Sequence, residues 1–544
     1  MGDTALVAAK LLLNSFLGEL SQKTDNVVVV SDSCHSGTIT RGKTFATRGA
    51  PRDARPHPLG ALPVSGRVGK WLSISACRDT EEASEYPAGA TTHGLFTWFW
   101  AQALRNAVQG ESWRQTFDRA AALIALSQSR PQHPHIEGDA SLLVFGGRIE
   151  TPPKTIAVKS VLGNKVTVDA GALVGLTPDS LLRKFDPQQQ TKALPTVKLT
   201  QVEANESSGL AEGAIAPGDL LLLEEYGIQG KPINVLVRAD LQEDAGLAEK
   251  VAAVVKGLPS FALVESPRAC DLTLQILRPK KQGGRYAYAH PNDSLPRSFP
   301  DAPAECWALT PDERLYDGQE RLKMRLEGAG IEVLKQNLLL LARTRNMLTL
   351  AAAPGQTQPV ELTVDVYAPA TTPAAACAPE PDYFRDDELG LCWKRVQTLT
   401  PGNLPEPTQT FSGARLLRFV LTNVSKRPQY TYLVNITDKG DVQPFYPGVN
   451  DSEEEGLLAP GASRRLETSL ELKELKEYVR LITSLAPVKI QLLRQDGYAV
   501  TRGDGLTPLE TLLAEKAGHT RGAPRSSMKK DAWSTVQMAF ELNP

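Results

Sequence analysis

The sequence lacks the features that mark membrane-spanning and nucleic-acid-binding proteins. No stretch approaches the roughly 18 consecutive apolar residues that a transmembrane helix requires, and the first residues carry no basic segment typical of a signal peptide. The 60 basic side chains are balanced by 62 acidic ones, so no excess charge favours a nucleic acid or an anionic membrane. We therefore expect no membrane span, no nucleic-acid partner and a cytoplasmic location.

Cysteine is also scarce. The six cysteines among 544 residues form no CxxC pair and no cluster with histidine, which argues against a structural zinc site and a disulfide scaffold. Cys377 and Cys392 are close enough in the chain to close a loop in an oxidising compartment, but we expect two unpaired thiols. We predict no metal and no cofactor.

Four consecutive valines, Val27 to Val30, precede a small polar segment that contains Asp32, Cys34 and Gly37. A β-branched run of this kind is typical of a parallel strand covered by helices on both faces. Open α/β sheets carry their chemistry at the carboxyl ends of strands, so Cys34 is the candidate nucleophile. A cysteine is more often a small buried apolar side chain, but a core position would gain nothing from the nearby Asp32 carboxylate.

The segment Asp32-Ser33-Cys34-His35-Ser36-Gly37 resembles the catalytic cysteine motif of the caspase-like peptidases, in particular of metacaspases and their bacterial relatives. The block from Ser73 to Asp79, with Glu85 and the segment from His93 to Thr97, resembles the start of the small-subunit half of that fold. Residues 132–147 resemble its closing strand. The resemblance covers about the first 147 residues and implies an α/β caspase-like sandwich with cysteine endopeptidase activity on proteins or peptides.

The resemblance also implies roles for further residues. Asp32 would bind a substrate Arg or Lys, assisted by Asp79, and backbone N–H groups near Gly37 would hold the oxyanion. The loop from Thr38 to Gly66 corresponds to the place where such enzymes separate their subunits by self-cleavage. Its candidate cleavage sites are Arg41, Arg48, Arg52 and Arg55. Calcium is not expected, because the segments that flank the catalytic strand lack paired aspartates.

A histidine base is the missing part of this site. Caspases place it about 50 residues before the nucleophile, and none of the 33 residues before Cys34 is a histidine. The possible substitutes are adjacent to Cys34 (His35), in proline-rich loops (His57, His133 and His135) or at the start of a predicted helix (His93). We predict that the first strands and the histidine lie outside this sequence, in an upstream segment or a partner fragment. The alternative is an inactive scaffold that keeps the caspase-like fold.

The rest of the chain predicts a multidomain protein. After a peptidase domain at 1–150, short alternating strands predict a small β-barrel or sandwich at 151–228. An α/β plus helical module follows at 229–367, in which Gln319 to Leu350 have helical spacing and Gly328 and Gly330 are expected to break the helix. Residues 368–382 form a Pro- and Ala-rich linker, and 383–544 a C-terminal β-rich domain. In it, the stretch from Tyr430 to Pro447 resembles a domain of unknown function that often follows bacterial caspase-like domains.

Overall fold

The structure is a computed structural model. It describes residues 16–24, 26–32, 71–78, 81, 83–88, 91–127, 132–144, 146, 153–186, 194–227, 231–290, 292–316, 320–350, 357–371, 377, 382–386, 390–401, 408–448, 450–499 and 533–543.

The first unit is a small α/β sheet with helices on both faces. Its elements are α1 (16–21), β1 (Val28–Ser31), β2 (Leu72–Ser75), β3 (Glu85–Ala88), β4 (Thr91–Gly94), α2 (Leu95–Arg105), α3 (Trp113–Ser127) and β5 (His135–Glu137). The sheet order is β1-β2-β5, with β1 parallel and β5 antiparallel to β2. Helices α2 and α3 pack on the face that carries Leu72 and Ile74, and Leu17 of α1 packs on the other face. The predicted parallel strand is confirmed in its pairing with β2, but it is only partly buried, not buried on both faces as expected.

One edge of this sheet is open among the described residues. Strand β1 ends the sheet order, Val30 is 44% exposed, and the nearby Phe16 is 56% exposed. The opposite edge is covered within the chain, since the Gly138 N–H after β5 donates to the Asn450 carbonyl oxygen at 2.9 Å. An apolar strand with an open edge is a surface that soluble proteins usually pair or protect.

The second unit is a closed barrel of six strands. They are β6 (Thr155–Leu162), β7 (Lys165–Val168), β8 (Leu181–Lys184), β9 (Thr196–Val202), β10 (Ser207–Glu212) and β11 (Leu220–Glu225). Closure in the order β10-β7-β6-β11-β8-β9 leaves no free edge. The structure thus decides between the barrel and the sandwich that the sequence left open.

The third unit is a five-stranded sheet with two helices. Its elements are β12 (Ile233–Ala239), α4 (Ala245–Lys256), β13 (Phe261–Leu263), β14 (Leu272–Leu277), β15 (Lys281–Gln282), β16 (Arg285–Tyr286), β17 (Glu305–Leu309), β18 (Lys323–Arg325) and α5 (Gly330–Thr349). The helix begins at Gly330, where a break was expected, but the helical prediction for the residues from Gln319 onward was wrong, because β18 pairs with β17 there. A Cβ on Gly330 would lie 1.8 Å from the Arg325 carbonyl oxygen, so this close approach requires glycine.

The fourth unit is a sandwich of two sheets. Its strands are β19 (Val360–Pro369), β20 (Tyr383–Asp386), β21 (Leu391–Leu399), β22 (Gln409–Ser412), β23 (Arg415–Asn423), β24 (Gln429–Thr437), β25 (Val442–Tyr446), β26 (Leu457–Leu458), β27 (Ser463–Leu472), β28 (Lys476–Ser484) and β29 (Trp533–Asn543). The sheets run β20-β21-β19-β23-β27 and β22-β29-β28-β24-β25. Short 3-10 helices join elements at Ala172–Val174, Gln242–Asp244, Pro267–Ala269, Glu320–Leu322, Glu453–Gly456 and Ile490–Leu493.

Two predictions about the start of the sandwich need correction. Strand β19 pairs with β21 and β23, so residues 360–369 belong to the sandwich and not to the preceding module and linker. Cys377 and Cys392 form a disulfide across 15 positions, where we expected two unpaired thiols. Sequence spacing alone did not show that the chain returns to the edge of β21. The bridge ties the segment after β19 to that strand.

The barrel, α5 and the sandwich share one hydrophobic core. Val166 and Leu182 of the barrel pack in the same cluster as Met347 of α5 and Tyr432 and Trp533 of the sandwich. Continuous burial of this kind joins the units more firmly than a flexible linker would.

A buried guanidinium fixes the end of α5 to the sandwich. Arg480 of β28 is 2% exposed and donates to the carbonyl oxygens of Leu348 and Leu350 at 2.9 and 2.7 Å. It also donates to the Gln537 side-chain oxygen of β29. The last carbonyl groups of a helix lack intrahelical partners, so a cation placed there satisfies them and complements the helix dipole.

Lys489 joins three units in one ionic cluster. Its Nζ lies 2.9 Å from Asp169 Oδ2, after β7, and 3.5 Å from Asp118 Oδ1 of α3. Burial acts to lower the pKa of Lys489, but the two carboxylates raise this pKa above its usual value. Burial likewise acts to raise the pKa of Asp169, but Lys489 and Lys159 hold it below its usual value. Lys489 and Asp169 are therefore both charged at neutral pH.

Replacing Lys489 should weaken the contact between the units. We expect Lys489→Met to destabilise the folded chain by about 3–5 kcal/mol, because it leaves two carboxylates close together without their cation. Calorimetry at pH 7.5 measures the loss as a lower unfolding temperature. Lys473→Met is the matched control, since Lys473 pairs with Glu471 at the surface and should change stability by less than about 1 kcal/mol. Equal losses of stability in the two variants would contradict the role of Lys489 in joining the units.

The disulfide gives a second prediction. Cys377→Ser should destabilise the sandwich by up to about 3 kcal/mol, since a bridge across 15 positions removes entropy from the unfolded chain. Adding dithiothreitol should lower the unfolding temperature of the wild type by a similar amount and leave that of Cys377→Ser unchanged. Peptide mapping without reductant should recover the linked pair. Recovery of two free thiols from oxidised protein would contradict the bridge.

Candidate active site

The carboxyl ends of β1 and β2 meet at one edge of the first sheet. Ser31 pairs in register with Ser75, so the residues that follow both strands leave the sheet side by side. Strand β5 runs in the opposite direction, and His133, two residues before it, reaches the same edge. The edge therefore gathers Asp32, the loop after β2 and His133. Open parallel sheets carry their ligands at this kind of edge.

Asp32 lies at the start of α2. It is an exposed residue, and its Oδ2 accepts a hydrogen bond from the Thr97 N–H at 3.3 Å and another from the Thr97 hydroxyl. A Cβ on Gly94 would lie 2.1 Å from the same oxygen, so the carboxylate approaches the chain where only glycine fits. A carboxylate at a helix N-terminus also complements the helix dipole. The strand end is thereby anchored to the helix that follows β4.

Most of the other predicted site residues lie outside the described residues. These are Cys34, Gly37, Asp79 and the candidate cleavage sites Arg41, Arg48, Arg52 and Arg55, together with His35 and His57. Of the predicted catalytic and substrate-binding residues, the structure therefore places only Asp32.

The loop after β2 carries an ionic cluster that the sequence did not predict. Glu81 Oε1 lies 2.6 Å from His133 Nδ1, and Glu81 Oε2 accepts from the His133 N–H at 2.8 Å. The Arg78 Nη1 is 3.7 Å from Glu81 Oε1. Burial acts to raise the pKa of Glu81, but His133 and Arg78 lower this pKa below its usual value. The spacing of Arg78 and Glu81, three residues apart, could have predicted their ion pair. Nothing in the sequence indicated that His133 is also a partner of Glu81.

The structure corrects the positions of two histidines. His93 lies in β4, before the helix we expected it to begin, with its Nε2 3.0 Å from the Thr91 hydroxyl and its ring stacked on Trp98. His135 lies in β5 and is buried, not in a loop. Both were misplaced because the short strands β4 and β5 carry no clear alternation of apolar and polar residues.

The sandwich reaches this edge of the sheet. The Arg78 guanidinium lies over the ring of Tyr430, 5.5 Å from its centroid. Near this contact, a small cleft lies between the first unit and the sandwich, lined in part by Arg114, Ile136 and Glu453. Burial raises the pKa of Glu453, although Arg78 and Arg114 act to lower it.

Neither a metal-binding cluster nor a membrane-spanning helix is found among the residues that the structure describes. No group of three or more His, Cys, Asp or Glu side chains in the described ranges is arranged to hold a metal ion. None of the helices described is both long enough and apolar enough to cross a bilayer. Comparison of the chain with models of known protein families, with curated proteins and with solved structures gives no match.

The close approach of Gly94 to Asp32 can be tested by substitution. Gly94→Ala should displace the carboxylate and lower the unfolding free energy by about 1–3 kcal/mol, because the added methyl group overlaps Oδ2. Gly246→Ala is the matched control, since nothing lies within 4 Å of its Cβ position in α4. The control should be neutral or stabilising by up to about 1 kcal/mol. An unchanged unfolding free energy for Gly94→Ala, measured in urea, would contradict the geometry.

Proposed function

We propose that the chain is a cysteine endopeptidase that cleaves after arginine or lysine, with Cys34 as nucleophile. The observation that carries the proposal is the position of Asp32, an exposed carboxylate at the carboxyl end of a parallel strand. Cys34 follows it by two residues. Both hydrogen bonds described for Asp32 go to Oδ2, and Oδ1 would bind the substrate cation in a charge-assisted hydrogen bond.

The sheet order also supports the proposal. Of the three sequence blocks that resemble caspase-like peptidases, the first directly follows β1, the second overlaps β2 and the third contains β5, and these strands are neighbours in one sheet. The blocks are separated in sequence, so their adjacency does not follow from any one of them alone. Helix α2, which begins two residues after His93, packs on the same sheet.

The open edge of β1 supports a base supplied from outside these residues. We propose that a further strand pairs with β1 and brings a histidine to Cys34. Parallel strands carry their functional groups at one edge, so a strand in this position reaches the nucleophile from the side opposite β2.

The proposed reaction follows the cysteine peptidase scheme. The histidine takes the thiol proton, and the Cys34 thiolate attacks the carbonyl carbon of the scissile bond. N–H groups near Gly37 stabilise the oxyanion, and the histidine protonates the leaving amine. Water then hydrolyses the thioester and releases the acid. Asp79 would assist binding of the basic side chain, and Arg41, Arg48, Arg52 and Arg55 would be sites of self-cleavage.

The disulfide between Cys377 and Cys392 is evidence about the compartment in which the chain works. We had predicted the cytoplasm, but the bridge between Cys377 and Cys392 favours an oxidising compartment, since cytoplasmic thiols are kept reduced. We therefore propose that the chain works outside the reducing cytoplasm.

The test is cleavage of fluorogenic peptides with Arg, Lys or Asp before the scissile bond. The full chain is assayed alone, with the upstream-encoded segment, and with added imidazole as a replacement base. We expect cleavage after Arg and Lys but not Asp, in the presence of the segment or imidazole. Cys34→Ala should abolish it, and Asp32→Asn should raise KM for Arg peptides by tenfold or more, since the lost charge pair contributes about 1.5–3 kcal/mol. Cys270→Ser, at a buried cysteine of the third unit, is the control.

Absence of cleavage in every format, with the fold intact, would contradict the peptidase and favour the alternative of an inactive scaffold. One observation favours that alternative: the barrel, α5 and the sandwich share a continuous core, as expected of a rigid platform for partners. Cleavage that survives Cys34→Ala would contradict the assignment of the nucleophile.

A further inference from the structure

We infer that Tyr430 of the sandwich is a positioning residue for the substrate-binding loop of the first unit. This inference rests on the proposed function and deepens it, because it assigns the C-terminal domain a part in recognising the basic substrate. The geometry that carries it is the Arg78 guanidinium held over the Tyr430 ring, next to Asp79 in the chain.

The loop after β2 is held at two points. Within the first unit, Glu81 binds His133, and the Glu81 carbonyl oxygen lies 3.4 Å from the Cys77 Sγ. Toward the sandwich, the contact described for the loop is Arg78 over Tyr430. The side chain of Arg78 is only 11% exposed, so its position is defined by these neighbours.

Tyr430 itself is rigidly placed. It lies in β24, pairs with Leu457 of β26 and Ser484 of β28, and is 6% exposed. It belongs to the core shared by the barrel, α5 and the sandwich. The ring therefore provides a fixed surface on which the Arg78 guanidinium is held.

The chemistry suits a positioning role better than a charge pair. Burial raises the pKa of Tyr430, so its hydroxyl is neutral at physiological pH. A planar guanidinium over an aromatic face gains from cation–π attraction and from dispersion, and this gain depends on the ring and not on the hydroxyl. Tyr430→Phe should keep the contact, and Tyr430→Leu should remove it.

The first measurement is amide hydrogen exchange of peptides that cover residues 76–84 in the full chain. We expect Tyr430→Leu to accelerate exchange there by roughly three- to tenfold, the change that corresponds to loss of one cation–π contact. Tyr430→Phe should exchange like the wild type. Tyr478→Leu is the matched control, since Tyr478 packs against the same core and its described cation contact is with Lys476. Arg78→Met should reproduce the effect, and the double variant should add nothing further.

The second measurement is peptide cleavage under the conditions that activate the wild type. Tyr430→Leu should raise KM for Arg peptides by a similar factor and leave kcat nearly unchanged, whereas a general loss of folding would lower kcat as well. Exchange at the wild-type rate in Tyr430→Leu, or equal acceleration in Tyr478→Leu, would overturn the inference. If the wild type cleaves nothing, the proposed function fails, and the exchange data still decide whether Tyr430 positions the loop.

Discussion

The buried charge of Lys489 is the interaction on which the arrangement of the units depends. A lysine between Asp118 and Asp169 is favourable only when α3, the barrel and the sandwich lie in one relative position. Coulomb energy in a poorly solvated interface changes steeply with distance, so a small displacement of any unit would leave a buried charge without its partner. Apolar burial holds the units together, and the ionic cluster selects how they fit.

Because the units are fixed in this way, the sandwich can take part in a site that another unit carries. It covers the β5 edge of the first sheet through Asn450 and reaches the loop after β2 through Tyr430. The β1 edge stays open among the described residues. The same sheet thus has one edge strand, β5, that is followed by a hydrogen bond to the sandwich, and another, β1, whose outer side is unpaired among the described residues. This asymmetry connects the fold to the proposed peptidase and its base.

The local sequence pattern correctly predicted elements that are specified by residues close together in the chain. The valine run predicted a parallel strand, and β1 pairs in parallel with β2. The local pattern did not predict elements that depend on pairing with a distant part of the chain. Lys323–Arg325 is a strand because β17 offers it an edge, although the surrounding residues have helical spacing. The choice of a candidate nucleophile rested on residue types at a strand end, and it stays a prediction.

The sequence by itself determined the parallel strand, the residues that follow it and the division into mainly β modules, because strand periodicity and turn residues act over short distances. Only the tertiary structure decided which distant groups meet. It paired Glu81 with His133, placed Asp32 against Gly94 and Thr97, joined Cys377 to Cys392 and brought Arg78 over Tyr430. Such pairings depend on how whole faces pack and on where each chain reversal ends, and no local spacing encodes that information.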